Sequence, residues 1–212
     1  MNREAGEIAD FVHGYLAETG KKDSQGAYGP EYRWEHTLRV AQWARRLAIE
    51  EKADVKTCVA AALLHDVSHF VSENYCKHGI KSGEIATEFL SEKGYLKSFI
   101  ENVVYAVESH VSERNPKTVE AKILQDSDTL DRFGYLRILL FGRTAELTNL
   151  ENLKQQIRTS LLYLDKLEKG EYGPMWTRTG REKLRELLDL SKNVQKGALE
   201  ELENTRLPDV ET

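Results

Sequence analysis

The sequence predicts an all-α protein, and two observations carry that expectation. Apolar residues recur at spacings of three and four through most of the chain, the period of a helix with one buried face. No stretch alternates with the period of two that a half-buried strand requires. At 212 residues the chain is long enough for a sizeable core, built by stacking helix faces against one another. It contains no internal repeat and no low-complexity block.

The elements follow in order. Ile8, Phe11, Val12 and Leu16 make a stripe along a helix over 3–18. A polar, glycine-bearing loop closes it, and Gly29-Pro30 prolongs the loop. A second helix runs from about Tyr32 to Glu51, with His36, Val40, Trp43 and Leu47 on one face and Glu35 and Arg39 off it. Asp54 reads as the N-cap of a helix over Thr57–Val67. Ser68–Lys77 reads as loop. A helix then begins at His78 or Lys81, continues to Lys93 through Ile80, Ile85, Phe89 and Leu90, and ends at Gly94. Leu96–His110 places Ile100, Val103, Val104 and Val107 inward, with His110 three residues further along the stripe. Asn115-Pro116 breaks the chain. The pattern from Thr118 to about Phe141 is helical, with Leu124, Asp128 and Asp131 on one face and Asp126 roughly 200° round at about 100° per residue. Residues 148–169 form an amphipathic helix, Gly170–Pro174 a turn, and Thr179–Glu203 a charged helix through Leu184, Leu187, Leu188 and Val194. The tail after Arg206 is polar. The expected organisation is a helical core over 1–147 and C-terminal helices over 148–212 packed on it.

Charge and composition restrict the function. Charged residues make up 31% of the chain and aromatics 8%, with a net charge of −5. A net negative chain argues against a large nucleic-acid surface and leaves room for a local basic patch that takes a small phosphate. Cys58 and Cys76 make neither a disulfide framework nor a CxxC pair, and Cys58 sits in an apolar run that reads as core. Reduced thiols and no recognisable signal peptide predict a cytoplasmic location. No run approaches the roughly 20 apolar residues of a membrane span, so no membrane partner is expected.

The chemistry centres on Ala60-Ala61-Ala62-Leu63-Leu64-His65-Asp66. The apolar run predicts burial, and two buried titratable groups need partners. A cation would provide one, because neutral imidazole and carboxylate are both ready ligands. Five of the six histidines, His36, His65, His69, His78 and His110, fall between positions 36 and 110. Histidines on apolar stripes of different helices can converge, and Asp66 and Asp128 can complete such a site. A His and Asp set without cysteine suits iron, manganese, zinc, cobalt or nickel, and disfavours a structural zinc site.

The order His36, His65-Asp66, Asp128 resembles the H…HD…D signature of the HD-domain superfamily of metal-dependent phosphohydrolases. The flanks are similar too: Trp34-Glu35-His36-Thr37-Leu38-Arg39-Val40, Ala61-Ala62-Leu63-Leu64-His65-Asp66-Val67 and Gln125-Asp126-Ser127-Asp128-Thr129-Leu130-Asp131. The resemblance covers roughly residues 32–142 and, more weakly, Met175–Arg185. It implies an HD-domain helical bundle with added C-terminal helices. It also implies one divalent transition metal on His36, His65, Asp66 and Asp128, with a metal-activated water attacking a nucleotide or related small phosphate ester or anhydride. Some members follow H…HD…H…H…D. Here His78 and His110 stand in that order, which allows a second ion with Asp66 bridging the two.

Several residues then become candidates. Asp66, His69, His110 and Asp131 are candidates for catalysis or proton transfer, and Arg132, Lys81 and Arg114 for binding the substrate phosphate. Three departures bear on the substrate. Thr129 follows the last ligand aspartate where many members have arginine. His69 and Phe70 stand where guanosine-tetraphosphate hydrolases carry a Glu-Asp pair. Gly79-Ile80 follows His78 where cyclic-dinucleotide phosphodiesterases carry a GYP motif. Alternatives are such a phosphodiesterase, a di-iron oxygenase of the superfamily, or a nucleotide-sensing module without catalysis. A homodimer is left open.

Overall fold

The computed structural model describes residues 3–20, 29–72, 77–111, 115–136, 149–171 and 173–204. Cys76, Arg114, the part of the predicted helix beyond 136 and the tail after Arg206 lie outside the described residues. Among the described residues there are eight helices: α1 Arg3–Thr19, α2 Pro30–Glu50, α3 Val55–Leu64, α4 His78–Glu92, α5 Lys97–Ser109, α6 Val119–Arg132, α7 Leu150–Glu168 and α8 Arg178–Glu203. The all-α expectation holds. No helix among these residues is long and apolar enough to cross a membrane.

The short helix α3 is the centre of the core, with α1, α2, α4 and α5 all packed on it. Its sequence explains this. Ala60, Ala61 and Ala62 are buried together with Cys58, Leu63 and Leu64, so the helix is apolar on every side. Small side chains let neighbouring helices approach closely, and all-round burial is what an all-round apolar helix requires. Burial pushes the Cys58 thiol up to about 12, as fits a plain core residue. Asp54 caps the start of α3, accepting the Lys56 N–H at 3.1 Å and the Thr57 hydroxyl at 2.6 Å.

The end of α3 differs from its sequence pattern. The helix stops at Leu64, three residues before the expected Val67. Beyond it the backbone closes with three-residue steps: Val67 N–H to Leu64 O, His69 N–H to Asp66 O, and Val71 N–H to Ser68 O. These tighter turns change the angle between successive side chains. His65 and Asp66 are both buried there.

The flanking helices supply the rest of the core. α1 buries Ile8, Ala9, Val12 and Leu16, and its Phe11 ring stacks on Phe89 of α4 at 3.9 Å. α2 buries His36, Val40, Ala44 and Leu47, whereas Trp43 is only half-buried beneath the Arg46 guanidinium. α4 ends as expected at Gly94, whose φ of +74° suits glycine, with Tyr95 N–H reaching back to Leu90 O. α6 ends at Arg132, well short of the expected Phe141.

The chain divides into two compact units. One comprises Met1–Asp131 with Met175–Arg181, and the other Arg132–Pro174 with Glu182–Thr212. In the second unit Ile157, Leu164 and Leu167 of α7 and Leu184, Leu187 and Leu188 of α8 are buried. Val194, expected on that face, is 49% exposed. Lys192 is buried instead, its ammonium 2.7 Å from Asp165 and 2.6 Å from Glu168.

Candidate metal centre

Five segments of the first unit bring their polar side chains to one place. α2 supplies His36, the turn after α3 supplies His65 and Asp66, and the start of α4 supplies His78. The residue ending α5 supplies His110, and α6 supplies Asp128 and Asp131. Each lies beside an apolar stripe, so packing the stripes together draws the polar ends inward. His36, His65, Asp66, His78, His110 and Asp128 are all buried, between 1% and 7% exposed.

Asp66 is the common point. Its Oδ2 lies 3.4 Å from His65 Nε2 and 3.8 Å from His36 Nε2. Its Oδ1 lies 3.2 Å from His78 Nε2 and 3.6 Å from His110 Nε2. His36 Nε2 also lies 3.4 Å from Asp128 Oδ1. Among the described residues, two triples have ligand atoms within 4.8 Å of one another: His36, His65 and Asp66, and Asp66, His78 and His110.

The other ring nitrogens fix the tautomers. His65 Nδ1 donates to Ala62 O at 2.7 Å, and His110 Nδ1 to Val107 O at 2.5 Å. His36 Nδ1 donates to Asp131 Oδ2 at 2.7 Å, and Arg39 grips Asp131 through Nε at 2.7 Å and Nη2 at 3.2 Å. A neutral imidazole with a proton on Nδ1 presents a lone pair at Nε2. With Nδ1 so engaged, the Nε2 of His65 is the nitrogen turned towards the Asp66 carboxylate. It stands within ion-pair distance of that oxygen but is buried and has no hydrogen bond. Four imidazole Nε2 atoms converging on one buried carboxylate, one of them buried without a hydrogen bond, make a donor set that fits a divalent metal.

The protonation states agree. Burial raises the cost of ionising Asp66, yet the surrounding histidines outweigh it and hold the carboxyl well below its usual range. Burial likewise opposes charge on His36, but Asp128 and Asp131 outweigh it and raise its pKa to about 9. Without metal, His36 therefore carries a proton at Nε2, and a cation would displace it. Burial lowers His110. Burial and the Arg33 guanidinium push His69 down to about 4, so it is a neutral imidazole at pH 7.

Two backbone devices hold α4 and α5 in place. Ser68 donates its hydroxyl to His78 O at 2.9 Å and its N–H to Ser82 Oγ at 3.2 Å, tying the turn after α3 to α4. A Cβ on Gly79 would lie 2.9 Å from Val111 Cγ2 and 3.3 Å from His110 Cε1. Its absence lets the two helix ends approach until His78 Nε2 and His110 Nε2 are 2.7 Å apart.

The remaining sequence candidates do not share one place. Asp131 sits on His36 and Arg39. Lys81 is exposed, its ammonium 2.8 Å from Glu84. Arg132 is exposed and falls in the second unit. Arg114 lies outside the described residues. His69 is half-buried, with Nε2 3.1 Å from Arg33 Nη2. Asp126, expected to point away from the Asp128 face, is buried, and accepts Trp176 N–H at 2.9 Å, Thr177 N–H at 2.8 Å and the Thr177 hydroxyl at 2.7 Å.

Sequence reasoning missed Arg33. Its Nη1 lies 2.6 Å from Asp66 Oδ2, and its Nε is buried without a hydrogen-bond partner. It also left Arg39 without a role. A signal for Arg33 was available: it stands three residues before His36, at the spacing that continues the stripe of α2.

Comparison with known proteins agrees with the fold and motif. The family model for the HD domain matches residues 33–132. Ribonuclease Y of Desulforudis audaxviator (strain MP104C) is 31% identical over 160 residues, covering 71% of this chain and 30% of that protein. The chain thus spans about 30% of the length of the curated relatives it matches. An HD superfamily hydrolase from an uncultured Thermotogales bacterium superposes with a TM-score of 0.63 at 24% identity, covering 91% of each chain. Another from Bacillus thuringiensis gives 0.61 at 17% identity, covering 95% of this chain and 100% of that one. The relatives correct one expectation. The argument against a large nucleic-acid surface does not stand when similar chains are named as ribonucleases. Net charge averages the whole chain and does not describe the surface around one local centre. The matched family, the shared fold and the ordered motif lead to one conclusion: this chain is an HD-domain protein, with the domain spanning residues 33–132.

Proposed function

We propose that the chain is a metal-dependent phosphohydrolase acting on a phosphate ester or anhydride bond of a nucleotide-type substrate. One observation carries the reading: the Nε2 atoms of His36, His65, His78 and His110 converge on the buried Asp66 carboxylate, and that of His65 is buried without a hydrogen bond. The relatives' names support RNA phosphodiesters as members of the substrate class.

His36, His65, Asp66 and Asp128 would hold one cation, and Asp66, His78 and His110 a second, with Asp66 shared between them. Imidazole and carboxylate donors without thiolate suit iron, manganese, zinc, cobalt or nickel. Bound there, such a cation supplies a water acidified towards neutrality and offsets the negative charge that develops on the phosphoryl oxygens. The protein's own part is to orient the donors. Asp131 keeps the His36 proton on Nδ1, and the carbonyls of Ala62 and Val107 do the same for His65 and His110. Asp131 is therefore a positioning residue, already engaged by His36 and Arg39. His69, half-buried and neutral at pH 7, stands against Arg33 Nη2 and would hold that guanidinium beside the centre.

The test is reconstitution of the metal-depleted protein with each of the five ions. Release of phosphate or nucleotide is then measured from nucleotides and from short RNA. Hydrolysis that depends on the metal is expected, and Asp66→Ala is expected to lose both bound metal and turnover. Full turnover after metal depletion would overturn the reading. Oxygen consumption by the iron-loaded protein in place of hydrolysis would hand the site to the oxygenase alternative.

A further inference from the structure

Arg33 stands out from the rest of the cluster. Among the described residues it is the one arginine whose guanidinium pairs with Asp66, and its side chain is 16% exposed where that of Asp66 is 7%. Nη1 donates to Asp66 Oδ2 at 2.6 Å and Nη2 to His69 Nε2 at 3.1 Å. The third donor, Nε, is buried and unpartnered. A buried guanidinium N–H without an acceptor is costly, and guanidinium donors are well matched to phosphate oxygens. The oxygen that Arg33 occupies is also the Asp66 oxygen facing His65 and His36.

We infer that Arg33 exchanges between two anions, the Asp66 carboxylate and the phosphoryl oxygens of the substrate, and that cation loading releases it from the first to the second. This rests on the reading that the cluster holds a cation. The guanidinium neutralises Asp66 while no cation is present. With a divalent ion held by the carboxylate cluster, the guanidinium would be repelled and its bond to Asp66 weakened. Nη1 is then free to donate to an incoming phosphate oxygen, with His69 keeping the side chain beside the centre. Cation therefore binds before phosphate, and Arg33 is a substrate-binding residue of this site.

The test uses the full chain, with manganese(II) and inorganic phosphate as probes. Calorimetric titration follows manganese binding to the metal-depleted protein, and then phosphate binding to the depleted and loaded forms. Arg33→Gln is expected to bind manganese several-fold more tightly, because a competing cation has gone. Phosphate is expected to bind the loaded wild type but not the depleted one, and to bind loaded Arg33→Gln at least about tenfold more weakly. Arg33→Lys, which retains charge but not the fork, serves as the second variant and is expected to recover only part of the phosphate affinity. A purely structural Arg33 predicts the opposite sign, with manganese binding loosened in Arg33→Gln, and that result overturns the inference. So does unchanged phosphate affinity in both variants, or phosphate binding to metal-depleted wild type. Wild type that binds no manganese, iron, zinc, cobalt or nickel would instead overturn the metal-centre reading itself.

Discussion

Asp131 illustrates what a single residue does in this site. It touches no other carboxylate of the cluster, but it fixes which nitrogen of His36 carries the proton, and Arg39 fixes Asp131 in turn. Burial works against its ionised form, and His36 and Arg39 outweigh that to lower its pKa. Outer partners of this kind typically change metal affinity by about 10–100-fold when altered. Asp131→Asn is expected to weaken manganese binding by about tenfold while leaving the helical circular dichroism unchanged. An unchanged manganese isotherm would remove the positioning role. The sequence placed Asp131 on the Asp128 face, but it could not show that Arg39 would reach it. Arg39 falls off the apolar stripe of α2, and only the approach of α6 gives it a partner.

At the scale of elements, the site depends on how closely helix ends can meet. α4 begins at His78 and α5 ends beside His110, so each offers its histidine at a terminus rather than in mid-helix. Gly79 is what allows the two termini to touch. Gly79→Ala would place a Cβ 2.9 Å from Val111 Cγ2 and 3.3 Å from His110 Cε1. Overpacking of this sort costs about 1–3 kcal/mol. The expected outcome is a lowered melting temperature and, if the proposed second ion binds at Asp66, His78 and His110, the loss of that ion, measured by atomic emission. Loss of stability with both ions retained would show that the second triple does not need this contact. The helices themselves were legible in the sequence because their apolar spacing is local. The early stop of α3 at Leu64 was not, because the periodicity through Val67 is intact and the break is set by the hydrogen bonds of the turn.

For the whole molecule, the telling feature is that Met175–Arg181 belongs with the first unit although residues 132–174 precede it in the second. Asp126 is the reason. It gathers the N–H groups of Trp176 and Thr177 and the Thr177 hydroxyl, while Gln125 accepts from the Trp176 indole and donates to Ser109 O. Thr177 Oγ1 in turn accepts Gly180 N–H at 2.9 Å and caps α8. Gly180 is required here, since a Cβ would lie 2.5 Å from Asp126 Oδ2. Asp126→Ala removes the acceptor from three donors and is expected to cost about 3 kcal/mol of stability, read by urea unfolding. A change below about 0.5 kcal/mol would mean that this clamp adds nothing to the fold.

By itself the sequence determined the helical class, most helix ends, the cap at Asp54 and the order of the histidines and aspartates. All of these rest on short-range periodicity and local side-chain chemistry. Only the tertiary structure decided that Arg33 and Arg39 belong to the cluster, and that Asp126 is buried to hold a segment fifty residues away. Those relations join separate segments through distances and lone-pair directions, and the spacing of residues along one chain carries no record of either.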